Sequence, residues 1–130
     1  MGKKVVLYIS SMLFCLSSLF AQDMPAGVTQ AFKKGNAQEL SKYFGDTVEL
    51  IILNRSSNAD KQAAEDILAD FFANNKVHDF KINHQGKREE SSFAIGTLST
   101  VNGYFRVNCF FKRIENKYLI HQIRIDKTNE

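Results

Sequence analysis

The stretch Ala94-Ile95-Gly96-Thr97-Leu98-Ser99-Thr100-Val101-Asn102-Gly103-Tyr104-Phe105-Arg106-Val107-Asn108-Cys109-Phe110-Phe111 decides the fold. Two runs rich in β-branched and aromatic residues flank Asn102-Gly103, a dipeptide suited to the left-handed backbone of a tight hairpin turn. A two-residue turn there predicts pairs of Val101 with Tyr104, Thr100 with Phe105, Leu98 with Val107, Gly96 with Cys109 and Ala94 with Phe111. From Thr100 and Phe105 onward, these pairs form one almost wholly apolar face. The other face pairs Ser99 with Arg106, Thr97 with Asn108, Ile95 with Phe110 and Phe93 with Lys112. It interleaves polar groups with large aromatics, too apolar for a plain solvent face and too polar for a core.

Period-two patterning continues on both sides of this hairpin. Val77 to Gln85 alternates, with His78, Phe80, Ile82 and His84 on one face, and Gly86 to Glu90 reads as a charged loop. Tyr118 to Asp126 reads as the last strand, after a turn at Glu115-Asn116. A two-residue turn puts Leu119, His121, Ile123 and Ile125 on the mixed face. A three-residue turn that includes Lys117 moves them to the apolar face, which the hydrophobic pattern prefers.

Upstream, the period changes. Ala63/Ala64, Ile67/Leu68 and Phe71/Phe72 recur every four residues, which predicts a core-facing helix from about Asp60 to Asn74. Thr47 to Leu53 reads as a strand, and Asn54 to Asn58 as a polar turn. Pro25 opens a short helix carrying Val28, Ala31 and Phe32, and Gly35 ends it. Asn36 caps a second helix, with Glu39 completing a capping-box pattern and Leu40, Tyr43 and Phe44 as its apolar stripe.

The first 21 residues have a different character. Lys3 and Lys4 precede the apolar stretch Val5–Phe20, and Ala21 offers a small residue for cleavage, the layout of a secretory signal peptide. Val5–Phe20 falls short of the roughly 20 apolar residues that span a bilayer and contains four serines. The expected product is one exported domain, Gln22–Glu130, periplasmic or secreted, with no membrane association after cleavage. Loss of Lys3 and Lys4 takes two units from the formal net charge of +3, leaving no basic field for nucleic acid. Loss of Cys15 leaves Cys109 without an intramolecular disulfide partner, in a context where a thiol behaves as a small buried hydrophobe.

The order ααβαββββ, with a curved antiparallel sheet wrapped around a long helix, resembles the α+β cone of the nuclear transport factor 2-like superfamily. Ala31-Phe32-Lys33-Lys34-Gly35-Asn36-Ala37, Asp66-Ile67-Leu68-Ala69-Asp70-Phe71-Phe72, Ala94-Ile95-Gly96-Thr97-Leu98, Gly103-Tyr104-Phe105-Arg106-Val107 and Lys117-Tyr118-Leu119-Ile120 carry a closer resemblance. They resemble a family of exported bacterial proteins described as domain of unknown function 4783, over about Pro25 to Lys127. The resemblance implies the fold and the export route. That family has no established activity, so it implies no functional residues.

The chemistry is sparse. The apolar hairpin face offers no carboxylate whose burial would raise its pKa toward general acid–base work. His78 and His84, six residues apart on one strand, stand roughly 20 Å apart at about 3.3 Å per residue, too far to share a metal ion. No catalytic residue, metal or cofactor is assigned, and no phosphate loop or nucleophile motif is present. The preferred reading is a non-enzymatic binding module, homodimeric through the mixed face around Phe93, Ile95, Tyr104, Arg106 and Phe110. An alternative is a pocket for a small apolar or aromatic ligand at the open end of the cone, lined by Tyr43, Phe72 and His121. A third is an enzyme with His121 as base.

Overall fold

A computed structural model describes residues 25–129; the segment read as a signal peptide, with Cys15, lies outside them. The elements are α1 (Ala26–Lys34), α2 (Ala37–Ser41), β1 (Phe44–Ile52), β2 (Arg55–Asp60), α3 (Lys61–Asn74), β3 (Val77–Arg88), β4 (Ser91–Thr100), β5 (Gly103–Ile114) and β6 (Lys117–Thr128). They build a curved six-stranded sheet in the order β2-β1-β6-β5-β4-β3 with the helices on one face. Neighbours are antiparallel except β1 and β6, which run parallel.

Each helix ends where its sequence provides a cap. Gly35 adopts the left-handed conformation (φ 61°), and the amides of Gly35 and Asn36 donate to Phe32 and Ala31. Asn36 accepts from the Glu39 amide at 3.1 Å. The reciprocal half of the expected capping box is not made, because the Glu39 carboxylate pairs with Lys42 instead. Asp60 caps α3 by accepting from the Ala63 amide at 2.8 Å. Ala64, Leu68, Phe71 and Phe72 on α3 are buried. Phe71 meets Phe105 edge-on at 5.2 Å, and Phe32 of α1 stacks on Phe80 of β3 at 4.8 Å.

Four local features differ from the sequence reading. Arg55–Asp60 is a strand rather than a turn, so the order is ααββαββββ. Its polar residues look like a loop, yet they pair with β1 from Thr47↔Asp60 to Ile52↔Arg55. The segment read as a charged loop at Gly86 to Glu90 is largely strand, with β3 running to Arg88.

The central hairpin turns one residue earlier than expected. Thr100 faces Gly103, Leu98 faces Phe105 and Gly96 faces Val107. Val101 and Asn102 form the turn, and Gly103, paired with Thr100, takes φ 103° just after it, a conformation open to glycine. The Asn102 side chain is committed elsewhere, donating to Asn74 O and Asn75 Oδ1 at the end of α3. Since the register moves each partner by two residues, every side chain keeps its predicted face.

The last hairpin takes the two-residue turn, but Ile123 and Ile125 do not follow it onto the mixed face. Glu115-Asn116 is a two-residue turn with positive φ at both positions, and Ile114 faces Lys117. His121 is then an extra residue: Phe111 faces Ile120 but Phe110 faces Gln122. This bulge resets the alternation, so Ile120 before it and Ile123 and Ile125 after it all enter the core.

Candidate functional site

The alternating strands sort residues onto two surfaces. On the face away from the helices lie Phe93 and Ile95 of β4, Tyr104, Arg106 and Phe110 of β5, and His121 of β6. All five residues expected at an interface therefore share one face. Phe93, Ile95 and Phe110 are half-buried, and Tyr104 is 46% exposed. A shallow hollow of about 620 Å³ runs across this face between β3, β4 and β5, lined in part by Asp79, Lys81, Ile95, Tyr104, Arg106 and Asn108. Among the described residues, Asp79, Lys81 and Arg106 make no ion pair.

The three expected pocket residues are not brought together. Tyr43 packs beside α1 with its hydroxyl filling the space next to Gly27. Phe72 is buried edge-on against Phe32 and borders a hollow of about 540 Å³ with Gly35, Asn36 and Ala69. His121 lies on the opposite side of the sheet, exposed, with its ring 6.5 Å from Phe110. The bulge that rescues Ile123 and Ile125 for the core is what turns His121 outward. Partial burial lowers its pKa below the ordinary histidine value, Lys112 lowers it further, and Glu49 opposes both.

A further cavity lies elsewhere, between α3 and the β1–β2 hairpin, with a volume of about 760 Å³. Directly paired antiparallel residues share a face, so Arg55 and Ser57 point the same way as their partners Ile52 and Leu50, toward α3. Only Ala59, further along β2, is buried. Where apolar side chains would have closed the seam, Arg55 and Ser57 leave it open. The opposite wall is the α3 side carrying Asp66, Ile67, Asp70, Phe71 and Asn74. Ile67, read as part of the core stripe, is 36% exposed because it looks into this gap.

Cys109 is fully enclosed, and burial pushes its thiol far above the usual range, which leaves it inert at neutral pH. Among the described residues, no group of three or more His, Cys, Asp or Glu side chains is placed to hold a metal ion. No described helix is long and apolar enough to cross a membrane.

A curved sheet with a long helix and two short ones packed on a single face defines a nuclear transport factor 2-like α+β domain. An NTF2-like protein of unknown function from Shewanella baltica shares this fold at 12% identity, with a TM-score of 0.60 over 96% of this chain and 97% of that one. The chain belongs to the family described as Domain of unknown function (DUF4783), whose model matches residues 25–126. A DUF4783 family protein from Bacteroides ovatus is 63% identical, with a TM-score of 0.82, 85% of this chain and all of that one being covered. Another from Bacteroides fragilis is 64% identical, with a TM-score of 0.79 over 82% of this chain and all of that one. Among curated proteins, nothing matches.

Proposed function

We propose that this protein is an exported, non-enzymatic binding module that works as a homodimer through the sheet face opposite the helices. The observation that carries the reading is the clustering of Phe93, Ile95, Tyr104 and Phe110 on that face beside unpaired charges of both signs. A two-fold dimer presents the same patch twice and must be self-complementary. Asp79 and Lys81 on β3 and Arg106 on β5 meet that condition, because Arg106 of one copy can face Asp79 of the other while the aromatic residues pack between them. Export follows from the amino-terminal layout of Lys3, Lys4, Val5–Phe20 and Ala21.

Light scattering across a concentration series tests the dimer. The wild-type protein should have twice the chain mass, and Phe110→Glu should be a folded monomer. Arg106→Asp should weaken association, and adding Asp79→Arg should restore much of it by exchanging the pair. A wild-type protein that stays monomeric at high concentration defeats the proposal.

A further inference from the structure

The cavity between α3 and the β1–β2 hairpin has two oppositely charged walls and an apolar floor. Leu50, Ile52 and Phe71 form the floor, and Leu53 and Ile67 hang over it, 48% and 36% exposed. Arg55 stands on the strand wall, with Asp66 and Asp70 one turn apart on the helix wall. Among the described residues, neither the Arg55 guanidinium nor the Asp70 carboxylate has an ion-pair or side-chain hydrogen-bond partner. Asp66 accepts only from Gln62. Opposite charges thus line one cavity without closing on each other.

Leu53 adds an independent observation. It sits at the first central position of a two-residue turn with φ 51°, followed by Asn54 at 71°. Asn, Asp and Gly suit that position, and leucine is a poor occupant of left-handed backbone. Its side chain gains little from the core, since half of it is exposed. What it does supply is apolar surface at the mouth of the cavity. A strained residue kept where it lines a cavity is the pattern of a binding site.

We infer that this cavity binds short apolar peptides with free termini, the carboxylate held by Arg55, the ammonium by Asp70 with Asp66, and the side chains over Leu53, Ile67 and Phe71. An apolar body alone leaves both charged walls unused. A free amino acid carries both charges on one carbon, whereas Arg55 and the two aspartates stand on facing walls with no N···O approach within 4.0 Å. A few peptide units supply the separation, at about 3.3 Å per extended residue. A volume of about 760 Å³ lies within the range that encloses a ligand of that size. The bidentate fork of Arg55 suits a terminal carboxylate.

Calorimetric titration of the purified protein with trileucine, to about 1 mM, tests this. Trileucine should bind, while its C-terminal amide and its N-acetyl form should each bind roughly three- to tenfold more weakly. Arg55→Gln should weaken free trileucine by a similar factor and leave the amide's affinity unchanged; Asp70→Asn should do the same toward the acetylated form. Both residues are exposed, so the variants should unfold at the wild-type temperature. Any of three results overturns the inference: no binding of trileucine, equal binding of the blocked peptides, or free leucine or hexylamine binding as tightly as trileucine. Because the cavity and the outer sheet face share no residue, this result is independent of the oligomeric state.

Discussion

Gly96 shows how one missing Cβ fixes the packing of the long sheet. It lies on the buried face of β4, where an added Cβ would stand 2.5 Å from the Phe80 ring and 2.7 Å from the Lys81 carbonyl oxygen. Phe80 cannot retreat, because it is stacked on Phe32 beneath α1. Gly96→Ala should therefore destabilise the fold by about 1–3 kcal/mol, as overpacking does. Gly45→Ala is the matched control: the nearest atom to its added Cβ is a backbone oxygen at 3.6 Å, an ordinary contact. It should change stability by no more than about 0.5 kcal/mol. Urea denaturation of both variants checks the contrast, and equal losses would remove the steric explanation. Cys109, by comparison, was readable from its apolar neighbours alone, since a thiol between Val107 and Phe111 on an inward-facing strand position has nowhere else to go.

At the scale of elements, what the sequence revealed followed from how strong each repeat is. The stripe through Ala64, Leu68 and Phe72 marks α3 because four-residue spacing of apolar groups is hard to satisfy otherwise. The hairpin faces survived a wrong turn position because a two-residue shift preserves parity. The strand β2 was hidden by its composition: Arg55, Ser56, Ser57 and Asn58 carry no apolar alternation, and only pairing with β1 makes them a strand. The cavity was hidden with it, since nothing places Arg55 opposite Asp70 until β2 exists. The bulge at His121 was equally silent, because one extra residue looks like either turn length. Leu53 combines strain and function in one element, which gives a two-sided prediction. Leu53→Asn should relieve left-handed strain and stabilise the protein by about 1 kcal/mol, read as a rise in its urea midpoint. The same substitution should weaken trileucine binding; unchanged affinity would show that the side chain takes no part in the groove.

The whole molecule places its two candidate surfaces on opposite sides of one continuous core. The outer face is built on β3, β4, β5 and β6, and the groove on α3, β1 and β2, with Leu50, Leu68, Val107, Ile123 and Ile125 buried between them. The parallel β1–β6 seam joins the two halves, from Phe44↔Ile120 to Ile52↔Ile125. Such a close-packed interior transmits little when a surface charge or ring is exchanged, and separated sites without shared partners behave additively. Phe110→Glu should therefore abolish dimerisation and leave trileucine affinity within about twofold of wild type, a difference of roughly 0.4 kcal/mol. Arg55→Gln should weaken the peptide and leave the dimer constant unchanged, and the double variant should show both effects at their single-variant sizes. Calorimetry and light scattering on the four proteins measure this cycle directly. A coupling larger than about 1 kcal/mol would mean that the β1–β6 seam relays dimer formation to the groove, making the sheet an allosteric element rather than a rigid partition.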